Sequence, residues 1–286
     1  MAPRPIAERF AVVTPAGAIA AARWEGSGTP VLAVHATGFC KELWGPVATL
    51  LAPNPVTAPD QRGHGDSSTP PPPYDWWDLG RDLLEVVVPG GPSLPVGLGH
   101  SSGAAALVMA ELLRPGTFAS LVLVEPIIFP VPAARMEDNP MTVAALRRKR
   151  AFASAGAVVE SFRSRGAFAG WTEEALGLYA DHGFCPGPGG WVLKCRPETE
   201  AEFYRGATAH GAWARLHEIA CPVVLAAGER SASHSRGFME AMRDRFGGAR
   251  LEVVPGAGHF LPMERPEAVA ALVAARLGRG VGEGGR

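Results

Sequence analysis

The chain is poor in cysteine, with four in 286 residues. Cys40, Cys185, Cys195 and Cys221 show neither a metal-ligand spacing nor the density of a disulfide-framed secreted domain, so free thiols in a reducing compartment are expected. Charge of one sign is also lacking: the formal net charge is −1. That balance excludes the basic footprint of a nucleic-acid binder and gives no attraction to an anionic membrane surface. No apolar run approaches the roughly 20 residues needed to cross a bilayer. Residues 1–11 carry Arg4 and Arg9 but no uninterrupted apolar stretch of the kind a secretory signal requires. A soluble, cytoplasmic protein is expected. What the chain does have is 47% hydrophobic residues, enough for a substantial core in one large or two small domains.

In chain order, residues 10–14 and 18–24 flank Pro15-Ala16-Gly17 and read as an opening hairpin. Val31-Leu32-Ala33-Val34 is a continuous apolar run, the pattern of a strand covered on both faces in a mostly parallel sheet. A helix over 43–51 and a strand over 55–58 follow. Residues 60–67 form a glycine-punctuated turn in which His64 and Asp66 read as structural. Residues 70–73 are a short polyproline spacer. From Trp76 onward Trp77, Gly80, Leu83, Leu84 and Val87 fall at helical spacing, which makes the tryptophans core residues. Another buried strand, 121–124, ends on Glu125-Pro126.

Between residues 127 and 213 the alternation stops. Proline-rich turns, helices over 158–163 and 173–180 and a glycine-proline loop at 186–190 read as a helical insertion. The basic run at 147–150 reads as a solvated face. His182, His210 and His217 have no spacing partner that would make a metal site. Trp171, Phe168, Phe184, Trp191 and Phe203 fit an apolar roof over a pocket or, equally, the insertion's own core. The rhythm then resumes with strands over 222–227 and 249–254, helices over 237–246 and 266–277, and a frayed glycine-rich tail over 278–286.

The stretch that organises the chain is Gly99-His100-Ser101-Ser102-Gly103, between an apolar strand at 94–98 and an alanine-rich helix at 104–113. Its glycines permit a turn too tight for any Cβ, and the turn presents the Ser101 hydroxyl. A serine alcohol is a poor nucleophile at neutral pH, so a base and an orienting acid must come from elsewhere. Gly97-Leu98-Gly99 nearly matches a dinucleotide loop, but the third glycine would fall at Ser102, which discounts NAD. No cofactor or metal is expected.

With His35-Ala36-Thr37-Gly38-Phe39, the 60–67 turn, the Ser101 turn and Gly256-Ala257-Gly258-His259-Phe260 in this order and spacing, the chain resembles the α/β-hydrolase family with a helical cap. The resemblance implies an α/β fold: a mostly parallel central sheet flanked by helices, formed by residues 1–126 and 214–286, with an inserted cap over 127–213. It implies a nucleophile at Ser101, a base at His259 and an oxyanion hole from the backbone N–H groups of Thr37 and Ser102.

The acid departs from the family's commonest pattern. Relatives usually carry aspartate at the end of Gly-x-x-Asp after the 222–227 strand, and here Ser231 stands there. Glu125 and Glu229 are the candidates, with a dyad or weakened triad as the further alternative, and Glu125 is favoured because certain dehalogenases and a lactone hydrolase resemble it in placing their acid after the earlier strand. A serine rather than a carboxylate at position 101 argues against dehalogenase and epoxide hydrolase chemistry. The implied function is hydrolysis of a small-molecule carboxylic ester or lactone through an acyl-enzyme. A C–C bond hydrolase, a cofactor-free perhydrolase and a catalytically weak ligand-binding protein are the alternatives, and the sequence leaves oligomeric state open.

Overall fold

The computed structural model describes residues 2–87, 93–131, 133–163 and 165–277. The opening hairpin is β1 (Glu8–Thr14) and β2 (Gly17–Trp24), paired antiparallel. Next come β3 (Val31–Val34), a 3-10 turn (Lys41–Trp44), α1 (Gly45–Leu50), β4 (Val56–Pro59), α2 (Trp77–Val86), β5 (Val96–His100), α3 (Ser102–Leu113) and β6 (Ser120–Val124). After the insertion the core resumes. The sheet finally has the order β1-β2-β4-β3-β5-β6-β10-β11, where β10 is Val223–Gly228 and β11 is Arg250–Val254. From β4 to β11 every neighbouring pair is parallel.

Burial alternates along the central strands and assigns their two faces. Leu32, Val34, Leu121, Leu123, Val223 and Leu225 pack with α2 and α3. Val31, Ala33, Val122, Val124, Val224 and Ala226 pack with α1 and the closing helix, whose Val269 and Val273 join the same cluster. Both faces of these strands are therefore apolar, which is why they read as unbroken hydrophobic runs rather than alternating ones. The alanines of α3 reflect burial all round, from Ser102 to Leu112. Gly80 has a packing reason: a Cβ there would lie 2.8 Å from the Ala110 backbone nitrogen, so its absence brings α2 against α3.

The insertion contains α4 (Pro140–Leu146), β7 (Ala151–Phe152), α5 (Ala155–Arg163), α6 (Glu173–His182), β8 (Phe184–Gly187), β9 (Gly190–Leu193) and α7 (Pro197–Gly206), then a 3-10 turn (Ala212–Glu218). It is not purely helical as expected: β7, β9 and β8 form an antiparallel sheet. The supposed loop at 186–190 is the β8–β9 hairpin, turned by Gly189 and Gly190 at φ of +86° and +115°. The basic run is not a uniformly solvated face either. Arg148 turns inward to pair with Glu200 and donates to the Tyr179 hydroxyl at 2.6 Å.

The core closes with α8 (Arg236–Arg245), α9 (Leu261–Glu264) and α10 (Pro266–Leu277). The tail at 278–286 lies outside the described residues. All four cysteines are free, and no helix among the described residues is long and apolar enough to cross a membrane.

Candidate active site

Ser101 alone makes the turn between β5 and α3, at φ +56° and ψ −114°. Its flanking glycines make the turn possible. A Cβ on Gly99 would stand 2.5 Å from the Ala104 Cα, and one on Gly103 would stand 2.3 Å from the Val34 carbonyl oxygen. Gly103 thus lets the start of α3 sit directly against the end of β3. Ser102 is the first residue of α3, where helix geometry leaves its N–H without an intrahelical acceptor. Thr37 lies just beyond β3 in the loop that follows.

Gln61 ties this loop to the serine turn. Its Nε2 donates to the His35 carbonyl at 2.6 Å and to Ser102 Oγ at 3.1 Å. His35 Nε2 accepts the Gln61 backbone N–H at 3.0 Å, which leaves Nδ1–H to donate to the Ala36 carbonyl at 2.8 Å. Burial lowers the His35 pKa to about 4, so the ring is neutral in this role. The 60–67 turn is structural as expected. Asp60 accepts from the backbone N–H of Asp66 at 2.9 Å and of Lys41 at 2.7 Å, and from Lys41 Nζ at 2.6 Å. Asp66 pairs with Lys41 and Lys194, and buried His64 donates to the Arg62 carbonyl.

Glu125 follows β6 with its side chain fully buried. Oε1 accepts the Gly228 N–H at 2.9 Å, and Oε2 accepts the Ser231 hydroxyl at 2.7 Å and His259 Nδ1 at 2.5 Å. Burial alone would raise the carboxyl's pKa. The rings of His234 and His259 facing the carboxylate outweigh it and hold the group well below the usual carboxylate range. Among the described residues, Ser101 and Glu125, at φ +46°, are the two non-glycine residues with positive φ. Such conformations cost about 1–3 kcal/mol each and persist only where the surroundings impose them. Glu229 is elsewhere, accepting the Gly256 N–H at 2.9 Å on the exposed side of the loop.

His259 sits on the loop between β11 and α9. His100 steadies that loop, its Nε2 donating to the His259 carbonyl at 2.9 Å with the two rings 5.0 Å apart. Burial pushes the His100 pKa down to about 3. With Nδ1–H given to Glu125, the lone pair of His259 Nε2 is its free basic atom. Among the described residues, Glu125, His234 and His259 form the cluster whose donor atoms approach closely enough to share an ion. Their facing atoms already have hydrogen-bond partners within the site.

The insertion packs onto this region. Tyr179 Oη donates to the Gly38 carbonyl at 3.1 Å, and the Thr172 N–H to the Met263 carbonyl at 3.0 Å. Trp171, Phe184 and Phe203 are buried, the first two in an aromatic cluster with Phe39 and Tyr179. Phe203 lies against Tyr74 and Trp76. These rings are packing, not an exposed roof. An open cleft of about 550 Å³ lies instead between the start of the insertion and α8, lined by Phe129, Val131, Met136, Asn139, Ser233 and Phe238 among others. The sequence reading missed His100, Gln61, His234 and Arg148. For Gln61 the neighbouring glycine turn was a usable signal. For His234 there was none, since its contacts lie far away in sequence.

The alpha/beta hydrolase family model matches residues 31–272, and the chain belongs to that family. Among solved structures, E-2-(acetamidomethylene)succinate hydrolase is similar with a TM-score of 0.81 at 21% identity, covering 95% of this chain and 99% of that one. Est816, described as an N-acyl homoserine lactone degrading enzyme, gives a TM-score of 0.66 at 20% identity, covering 93% and 99%. The peroxisomal alpha-beta-hydrolase Lpx1 of Saccharomyces cerevisiae gives 0.78 at 19% identity, covering 98% and 88%. In sequence the yeast protein, described as a peroxisomal membrane protein, is 28% identical over 115 residues, 33% of this chain and 30% of its own length. These likenesses establish the fold they share.

Proposed function

We propose that this protein is a serine hydrolase that cleaves a carboxylic ester or lactone through an acyl-enzyme, with Ser101 as nucleophile, His259 as base and Glu125 as orienting acid. The observation that carries the reading is the 2.5 Å contact between Glu125 Oε2 and His259 Nδ1, made beside the strained Ser101 turn. Ser101 Oγ attacks the acyl carbon while His259 Nε2 takes its proton. Collapse of the tetrahedral species breaks the C–O bond, and the imidazolium returns that proton to the leaving oxygen. Water then repeats the cycle on the acyl group. The N–H groups of Ser102 and Thr37 receive the oxyanion, where losing one donor costs about 3 kcal/mol in comparable sites.

The inserted segment acts as the cap. The apolar cleft beside His234 supports a largely apolar substrate group, and the lactone-degrading activity described for Est816 supports the lactone arm of the reading. A small-molecule substrate and a cytoplasmic setting complete the proposal.

Burst kinetics with p-nitrophenyl esters and a lactone series test it. Wild type shows an acyl-enzyme burst and turnover, Ser101→Ala shows neither, and Glu229→Gln retains both. Wild type inert on every ester and lactone sinks the reading.

A further inference from the structure

His234 lies beside the residues assigned above but takes no part in the proposed mechanism. Its side chain is fully buried at the start of the segment leading into α8 and stacks on His259, with centroids 5.8 Å apart and planes 20° from parallel. Its Nδ1 lies 3.2 Å from Glu125 Oε2, the same oxygen that receives His259. On the other edge, Nε2 is 3.1 Å from the Pro126 carbonyl oxygen. A carbonyl only accepts, so Nε2 carries a proton.

That assignment decides what Nδ1 does. In the neutral ring Nδ1 is a bare lone pair, and the Ser233 hydroxyl at 2.9 Å donates to it. A lone pair facing a carboxylate oxygen at 3.2 Å gains nothing from Glu125. In the protonated ring Nδ1–H donates to Glu125 instead, and Ser233 turns to accept. The carboxylate therefore has two histidine partners on one oxygen, and only one is the proposed base. The ionisable groups around His234 are Glu125 at the end of β6, His259 on the loop after β11 and, behind His259, His100 at the end of β5. On its remaining sides stand the rings of Phe129 and Phe238, at 5.9 and 5.5 Å.

We propose that His234 is a positioning residue of this site. Neutral, it leaves the charge of Glu125 to His259; protonated, it takes a share of that charge and slows proton transfer at Ser101. The inference rests on the hydrolase reading for its consequence in turnover, but the proton coupling between the rings stands independently of it.

The test is ¹⁵N imidazole NMR on the full chain across pH, for wild type and His234→Gln, with ester turnover measured in parallel. Glutamine can keep a donor toward the Pro126 carbonyl and cannot take the second proton. In wild type, His234 holds its single proton on Nε2. As Nδ1 gains a proton on acidification, the His259 Nδ1–H resonance moves with the same midpoint; in His234→Gln that step is missing. In turnover, the acid side of the wild-type kcat/KM profile carries an additional fall with the midpoint of the His234 step, and His234→Gln lacks it.

The inference is overturned if the His259 resonance ignores the His234 titration, if the neutral ring carries its proton on Nδ1, or if His234 takes no second proton while the protein stays folded. Wild type alone decides these points should the variant not fold. Coupled resonances without any ester turnover would support the inference and sink the hydrolase reading.

Discussion

Two buried carboxylates flank the serine turn, and they are held in opposite ways. Asp60 is locked by Lys41, which carries a permanent charge, and by two backbone N–H groups; Glu125 is held by one backbone N–H, a serine hydroxyl and His259, with His234 facing the same oxygen. Burial opposes the charge on Lys41, but Asp60 and Glu42 raise its pKa well above the ordinary amine range. The Asp60 cluster, anchored by a lysine whose charge is fixed across the neutral range, serves as a strut beneath the loop that leads to Thr37. The side chains facing Glu125 are imidazoles and a hydroxyl rather than a fixed ammonium, which suits the orienting role proposed for it. Equal burial thus accompanies two different sets of partners, a fixed cation for Asp60 and imidazoles for Glu125.

The sharpest way to break that contrast is Glu125→Gln. If the carboxylate is the orienting acid, kcat on any ester substrate drops by about 10³–10⁴, as when a triad acid is made neutral elsewhere; a drop under tenfold returns Glu125 to the structural class. Lys41→Met is the counterpart on the other side. It strands Asp60 unpaired in the interior and should lower unfolding free energy by about 3–5 kcal/mol in urea titrations, and a loss below 1 kcal/mol would contradict the strut.

Acid should act on the whole fold as well. His35 and His210 have pKa values near 4, and His64 and His100 near 3, all lowered by burial. The unfolded chain titrates near 6.5, so between about pH 6.5 and 4 it binds more protons than the folded one. Stability therefore falls as pH drops through that window, by up to about 1.4 kcal/mol per pH unit for each such histidine. Denaturant midpoints that stay flat between pH 6.5 and 4.5 would refute it. The smallest effect concerns backbone strain: Ser101→Gly relieves the positive φ that Ser101→Ala retains, and should be the more stable of the two inactive variants by about 1 kcal/mol. Equal melting temperatures would show that the turn stores no strain.

The sequence displayed the parallel core well because β3, β6 and β10 are covered on both faces and so read as plain apolar runs. The serine turn was legible because Gly99 and Gly103 are demanded by sub-3 Å approaches to backbone atoms. Ser231, where relatives usually carry aspartate, made Glu125 the favoured acid from sequence, and in the structure its hydroxyl donates to Glu125. The insertion was read less well. Its small sheet rests on short strands interrupted by glycine and proline, too brief for a period-2 signal. Nothing local distinguished inward-turned Arg148 from Arg147 and Lys149. His234 was invisible for a different reason, since it meets Glu125 and His259 only across β6, β10 and β11.

The missing side chain at Gly103 carries one more consequence. A single added carbon would strike the Val34 and His35 carbonyl oxygens at 2.3 and 2.5 Å, so the approach of α3 to the end of β3 is set by main chain against main chain. No side-chain exchange can adjust it gradually. If the proposed function holds, a change of substrate falls to the exchangeable side chains of the insertion, because the backbone packing around Ser101 has no room to vary.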